Sequence, residues 1–228
     1  MMSYRFALDE INTKMKILKE EFHLIHEYNP IEHIDSRVKT PESIIRKIKK
    51  KNLPYDLDVI REEIHDIAGI RIVCSFVSDI YRIQQMISNQ ADIKVIDIKD
   101  YIENPKASGY QSLHLILKVP IFLSDRQEEV YVEMQIRTIA MDFWASLEHK
   151  IYYKYNKAIP TELSSQLIEA AHTAALLDRK MESLNKEINI LKNEQQDEEP
   201  SESISAQSTR FYNALQTIGM TSSEEEKI

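Results

Sequence analysis

Glycine is scarce in this chain: 228 residues hold three, Gly69, Gly109 and Gly219. Neither a Walker A loop nor a G-x-G-x-x-G turn can be built from them, so a bound nucleotide would have its phosphates held by side chains. Cysteine is scarcer still. Cys74 stands alone within the apolar run IRIVCSF, which excludes an intrachain disulfide framework and reads as a buried structural thiol. No apolar run approaches the ~18–20 residues of a membrane span. The N-terminus also lacks a signal peptide's continuous apolar stretch. The expected location is cytoplasmic. Net positive charge is missing too: a formal charge of −8 argues against a general, electrostatically driven nucleic-acid binder.

What charge there is lies unevenly. Residues 192–228 carry eight acids against three bases, whereas residues 37–51 (RVKTPESIIRKIKKK) carry seven bases against one acid. A local basic patch in an acidic protein suits a compact polyanion such as a nucleotide polyphosphate. With 43% hydrophobic residues the chain can bury a normal core, so one domain with appendages is expected. Its parts are a domain over 1–160 that includes an N-terminal helix, an oligomerisation helix over 161–192, and an acidic, largely disordered tail over 193–228.

Helical spacing of Ile11, Met15, Leu18, Phe22 and Ile25 predicts a first helix over 4–28, ended by Pro30. A short extended piece follows. Thr40-Pro41 then opens a helix over 41–51 as cap and first residue, with Ile44, Ile45 and Ile48 expected to be buried. Beyond it the pattern gives a short helix at 57–65, a strand at 70–76, a helix at 79–89, a strand at 93–98 and a polar loop at 99–109. Two long strands, 112–121 and 129–137, and a helix carrying Trp144, Leu147 and Ile151 complete the domain. From Pro160-Thr161 a long helix carries Leu167, Ala170, Ala174, Leu177, Met181, Leu184, Ile188 and Leu191 at alternating spacings of three and four. Such a seam either packs back on its own domain or forms an oligomer contact. A last short helix is expected at 209–218.

Three segments carry the chemistry: HDIAGIR (65–71), SGYQSLH (108–114) and EMQIRT (133–138). In YVEMQIR, Tyr131, Glu133, Gln135 and Arg137 share one strand face and Val132, Met134 and Ile136 the other. In SLHLILKV the same parity sets Ser112, His114 and Lys118 against Leu113, Leu115, Leu117 and Val119, with Ile116 the apolar exception on the polar face. The sheet thus has a greasy back and a face of acid, amide, imidazole and cation. Asp66 and Glu133 are the paired carboxylates. A mid-strand Glu between Val132 and Met134 is costly unless it is ligated or paired; it either helps hold a metal for phosphoryl-type transfer or salt-bridges Arg71 or Arg137. Ser43, Lys47 and Lys50 share a face of the 41–51 helix, with Arg37 and Lys39 just upstream; this is either a solvated basic face or a phosphate grip. Gly109 beside Tyr110 lets an aromatic ring project over a pocket as a base platform. His65-Asp66 also spells the metal dipeptide of phosphohydrolases, but the other histidines (23, 26, 33, 114, 149, 172) show no supporting arrangement.

In this order and spacing DIAGIR, SGYQSLH, EMQIRT and WASLEHKIYYKY resemble the synthetase domain of the RelA/SpoT family, in the form of the stand-alone small alarmone synthetases of bacteria, over roughly residues 1–190. The resemblance implies an α/β (α+β) fold, a mixed five-stranded sheet flanked by helices in a nucleotidyltransferase-like arrangement, with a long C-terminal helix. It implies transfer of pyrophosphate from ATP to the 3′-hydroxyl of GDP or GTP. Residue by residue it puts Mg²⁺ on Asp66 and Glu133, with Glu133 also activating the 3′-hydroxyl. ATP would meet Arg37, Lys39, Ser43, Lys47, Lys50 and Arg71, the two arginines flanking adenine. GDP or GTP would meet Lys99, Lys106, Tyr110, His114, Gln135 and Asp142, with Tyr110 stacked on guanine. Lys99 stands where relatives often carry Arg, and Asp142 where some carry Asn. Glu148, His149, Tyr153 and Lys154 complete the pattern as structural residues. The family's small members form homotetramers. No stretch before residue 37 is long enough for a hydrolase domain, so synthesis alone is expected. The rival reading is a catalytically weak synthetase fold serving as an RNA-binding or regulatory module.

Overall fold

The computed structural model describes residues 1–26, 28–154, 160–198 and 210–211. Its elements run α1 (Met2–Ile25), β1 (Ile31–Val38), α2 (Pro41–Lys51), α3 (Leu57–Glu63), β2 (Ala68–Cys74), α4 (Val77–Ser88), β3 (Lys94–Asp100), β4 (Leu113–Phe122), β5 (Gln127–Thr138), α5 (Ile139–Lys154) and α6 (Thr161–Glu198). The expected helices and strands are present, with ends moved by a few residues. The "short extended piece" is a full eight-residue strand, and β3 runs on into the expected loop as far as Asp100. The disordered tail and the helix at 209–218 fall outside the described residues, save that α6 continues to Glu198 and Arg210 and Phe211 are helical.

The sheet order is β1-β2-β5-β4-β3, with β2 and β5 parallel and the other pairs antiparallel. Its back buries Ile70 and Ile72 of β2, Leu113, Leu115 and Leu117 of β4, and Val132, Met134 and Ile136 of β5. Against this face α1 lays Ala7, Leu8, Ile11, Met15, Leu18 and Phe22, at the spacing the sequence displays. Each buried aliphatic side chain contributes roughly 1.5–3 kcal/mol, which is what allows the opposite face to be given over to charge.

Strand register sets that front face. One row across the sheet reads Asp35, Arg71, Gln135, His114 and Lys99, one residue from each strand, and the adjoining row begins Arg37, Gly69, Glu133 and Ile116. A second, smaller core of Ile44, Ile48, Ile64 and Ile67 anchors α2 beside the turn that carries Asp66. Ile45 is not part of it; it is 43% exposed, because only positions four apart on so short a helix share the covered face. Thr40 caps α2 by accepting from the Ser43 N–H, and Asn52 ends it in the left-handed conformation.

Helix α6 lies across α5 and the N-terminal end of α4, and its covered face departs from the expected seam. Ala171 and Asp178 are buried and Leu167 and Ala174 half-buried, while Ala170, Leu177, Met181, Leu184, Ile188 and Leu191 face outward. The stripe against the domain is the neighbouring one, Ile168, Ala171, Ala175, Asp178 and Glu182, also spaced three and four apart. The seam lies one residue, about 100°, round the helix from it and is turned outward at Ala170 and from Leu177 on. No helix among the described residues is long and apolar enough to cross a membrane.

Candidate active site

The front of the sheet forms the floor of a cavity of about 650 Å³, walled by the end of β1, the 105–110 loop and α5. Its lining holds six Lys or Arg against four Asp or Glu, although the whole protein is negative. Arg37, Lys39, Asp66, Arg71, Lys106, Tyr110, His114, Glu133 and Gln135 all line it. Five of the expected site residues do not. Lys47 reaches it through Asp66, and Asp142 through two arginines; Ser43 sits one turn before Lys47, bonded by Thr40 and Arg46; Lys50 is exposed; and Lys99, beside His114 in the register, pairs with Asp97 at 3.2 Å.

Asp66 is held from two elements. Lys39, at the end of β1, and Lys47, on α2, place their ammonium groups 2.6 and 2.5 Å from its Oδ2. Burial opposes ionisation of Asp66, yet these two lysines more than offset it and hold the carboxyl below its usual range. Its Oδ1 is buried and has no partner.

Glu133 is half-buried in mid-strand. Neither arginine partners it, contrary to one of the two sequence readings. His114 Nδ1 lies 3.4 Å from its Oε1, and Gln135 Nε2 donates to Oε2 at 2.9 Å. Burial pushes its carboxyl up, but the His114 and Gln135 contacts outweigh burial and the repulsion of Asp66, so it stays ionised below the usual range. In the register Gly69 stands between Arg37 and Glu133. A methyl group there would meet nothing closer than 3.9 Å, so the missing side chain opens the cavity floor and is not demanded by packing.

Tyr110 is fixed on several sides. Arg137 Nη2 donates to its hydroxyl at 2.7 Å, His114 Nε2 lies 2.8 Å from the same oxygen, and the ring packs against Trp144, Ala145 and Ala171. Burial raises its phenol above the ordinary value despite the Arg137 charge. The Lys106 ammonium lies 4.5 and 4.6 Å from the ring centres of Tyr101 and Tyr110. Gly109, with φ +86°, turns the chain directly before it.

Sequence reasoning missed Asp35 and Ser36 of β1, and Ser108, Ser146 and Lys150. It placed Arg137 only as a neighbour of Glu133, although the strand parity that singled out Glu133 and Gln135 includes it. Glu148 and His149, expected to be structural, also line the cavity. The side chains of Tyr153 and Lys154 lie outside the described residues. His65, the candidate hydrolase ligand, stacks on Tyr131 at 4.1 Å, and its Nε2 meets the Glu62 carbonyl at 2.7 Å.

Residues 36–158 match the region found in RelA / SpoT proteins. The GTP pyrophosphokinase YwaC of Bacillus subtilis (strain 168) is 51% identical over 188 residues, covering 82% of this chain and 90% of the relative. The crystal structure of small alarmone synthetase 2 from Bacillus subtilis superposes with a TM-score of 0.75 at 50% identity, covering 82% of this chain and 96% of that one. Small alarmone synthetase 1 from the same organism, bound to its product pppGpp, gives 0.76 at 38% identity over 81% and 94%.

Proposed function

Because the chain belongs to the RelA/SpoT family, we infer that it is a GTP pyrophosphokinase, moving the β,γ-pyrophosphate of ATP to the ribose 3′-hydroxyl of GDP or GTP. The products are AMP and the alarmone ppGpp or pppGpp of the stringent response. In the step the 3′-oxygen bonds to the β-phosphorus of ATP, the α–β phosphoanhydride bond breaks, AMP leaves, and the hydroxyl proton passes to Glu133. The observation that carries the reading is Glu133, kept ionised in a half-buried strand position by His114 and Gln135, on the same cavity floor as Asp66. An ionised carboxylate can take the proton, and its fixed position supplies the orientation that acid–base catalysis requires.

In this reading Lys39, Lys47, Ser43 and Lys50 hold the ATP phosphates, and Arg37 and Arg71 flank adenine. Arg37 makes no ion pair among the described residues and is exposed, as a stacking guanidinium requires. Tyr110, Lys106, His114 and Gln135 meet the acceptor, with Lys99 at the rim. Mg²⁺ fits the donor set: Asp66 offers a buried, unpartnered Oδ1 and Glu133 a second carboxylate, while no group of three or more acidic, His or Cys ligands exists among the described residues. That matches an ion bound through one or two carboxylates, water and nucleotide phosphates. When bound, the ion neutralises phosphate charge as the pyrophosphate transfers.

By likeness to the small alarmone synthetases the activity is synthesis and not hydrolysis; α1 and the first residues of β1, ahead of the matched region, belong to the same sheet domain. A cytoplasmic location and a homotetramer are carried over by family resemblance, and the exposed strip Leu177, Met181, Leu184 and Ile188 on α6 supports the association of copies. The same strip makes α6, which starts at Thr161 after the domain over 1–160, the oligomerisation helix; it runs past the expected end at 192 to Glu198. The RNA-binding alternative is not favoured, since both carboxylates, the basic α2 face and Tyr110 are in place. The test is incubation of purified protein with Mg²⁺, ATP and GDP or GTP, with the nucleotides resolved. AMP and a 3′-pyrophosphorylated guanosine in equal amounts are expected; ADP or free pyrophosphate as the stoichiometric partner would overturn the reading.

A further inference from the structure

Asp142 sits on the first turn of α5, and one of its oxygens serves two guanidinium groups. Its Oδ1 lies 3.1 Å from Arg137 Nη1 and 3.3 Å from Arg71 Nη1. The two arginines come from the neighbouring parallel strands β5 and β2, and they belong to opposite halves of the cavity. Arg71 is on the donor side, where its Nη2 also pairs with Asp35 at 3.0 Å. Arg137 is on the acceptor side, where its Nη2 donates to the Tyr110 hydroxyl at 2.7 Å and to Gln135 Oε1 at 2.8 Å. Asp35, Arg71, Asp142 and Arg137 therefore form a chain of alternating charge across the cavity, ending on the tyrosine ring.

Burial makes Asp142 the critical link. Arg137 is 7% exposed, and Asp142 is its one ion-pair partner among the described residues; Gln135 and Tyr110 offer it only neutral oxygens. A buried guanidinium without a counter-ion is strongly disfavoured, so the orientation of Arg137 depends on this carboxylate. Reading guanine would require Asp142 to accept from the N1 and N2 donors with both oxygens, and Oδ1 is already engaged twice.

We propose that Asp142 is a positioning residue, which locks Arg71 and Arg137 together through one shared oxygen and so couples the donor and acceptor halves of the site, and that it does not read the guanine base. The proposal rests on the synthetase reading above. Its consequence is that loss of the Asp142 charge loosens both substrates together, whereas loss of a base reader would affect guanine alone.

The experiment uses the full chain and Asp142→Asn, which keeps shape and one acceptor oxygen but removes the charge. KM and kcat are measured for ATP, GDP and IDP, whose inosine base lacks the exocyclic amine of guanine. The expected result is a rise in KM for ATP and for both acceptors, about 5- to 20-fold, within the usual span of coupling between sites. The GDP-to-IDP ratio of kcat/KM should stay at the native value. This ratio is independent of the fraction of protein that folds. Asp142→Glu, which restores the charge, should return at least part of the ATP KM. An unchanged ATP KM with a collapsed GDP-to-IDP preference would make Asp142 a guanine reader, and unchanged constants throughout would remove it from the site. Native protein that fails to turn over ATP and GDP refutes the functional reading itself; native turnover with either of those variant results refutes only the role given to Asp142.

Discussion

Gly109→Ala should cost the protein stability and the acceptor site its shape, for two separable reasons. The first is the backbone. At φ +86° an L-residue pays roughly 1–2 kcal/mol that glycine does not. The second is packing. A β-carbon built on Gly109 lies 2.5 Å from the Ala171 Cβ of α6, with the backbone of Ile168 behind it at 3.7 and 3.8 Å. Carbon atoms settle at about 3.5–4.0 Å, so helix and loop must part by roughly an ångström, an overpacking cost of about 1–3 kcal/mol. The turn cannot absorb that alone: the Gly109 N–H donates to the Lys106 carbonyl at 2.8 Å, and the Lys106 N–H to the Tyr110 carbonyl at 3.1 Å. Tyr110 therefore moves with the loop.

The assay is urea unfolding at fixed protein concentration, with the acceptor KM measured in parallel. Gly109→Ala alone is expected to lose about 2–5 kcal/mol, the sum of the two costs, and to raise the KM for GDP more than for ATP. Ala171→Gly removes the obstructing methyl at a helix-propensity cost of up to ~1 kcal/mol. The double variant should recover the packing share of about 1–3 kcal/mol and keep the backbone share, a coupling that a double-mutant cycle measures directly. Strictly additive effects, or no loss in Gly109→Ala, would mean that α6 does not bear on the acceptor loop.

Glu133→Gln keeps the hydrogen-bonding shape but removes the proton acceptor; AMP formation should fall by at least ~10²-fold, and a near-normal rate would leave Glu133 as a mere partner of His114. Asp178 is buried on α6, where it accepts from Thr138 Oγ1 at 2.7 Å; burial first, then the Glu182 charge, raises its carboxyl above the usual value. The folded state therefore holds that proton at higher pH than the unfolded chain does, and stability declines as pH rises from about 4 through the raised value. Asp178→Asn should melt above the native protein at pH 7.5 and converge with it near pH 4; a lower melting point at pH 7.5 would show the charged hydrogen bond to be net favourable. Leu184→Glu with Ile188→Glu, at 42% and 52% exposed positions, should lower the light-scattering mass while circular dichroism stays native, and truncation after Glu198 should not. An unchanged mass would mean that the strip is not a contact between copies.

Periodicity alone located the two faces of β4 and β5, since an apolar back in strict alternation leaves one choice of which side chains face forward. It did less well on β1. There only Ile31, Ile34 and Val38 are apolar, and an edge strand with a polar front resembles a loop in sequence. Asp35 and Ser36 were lost with it. Lys50 and Lys99 were placed by pattern and resemblance, yet one points to solvent and the other pairs with Asp97. A lysine's helical or strand position fixes its direction from the backbone but not which neighbour claims its long arm. Asp142 is the clearest case. That it lies five residues after Arg137 is visible in the chain; that Arg71 reaches the same oxygen depends on β2 running parallel beside β5, and no local spacing reveals that.

The charges on the sheet face explain why the domain can fold before any nucleotide arrives. Lys39 and Lys47 close on Asp66, Arg71 on Asp35 and Asp142, Arg137 on Asp142, and His114 on Glu133. Buried charges persist in pairs and fail singly. Lacking a glycine-lined phosphate cradle, the chain carries its phosphate-binding charge on side chains, and two of these, Lys39 and Lys47, are neutralised by Asp66. A substitution that removes one partner consequently strands another, so lost activity in a charge-removing variant does not by itself identify a catalytic group. Glu133→Gln is informative because Gln can still accept and donate where Glu133 meets His114 and Gln135. Asp66→Asn would instead leave two ammonium groups facing one neutral amide, and any loss it caused would mix binding, charge repulsion and stability.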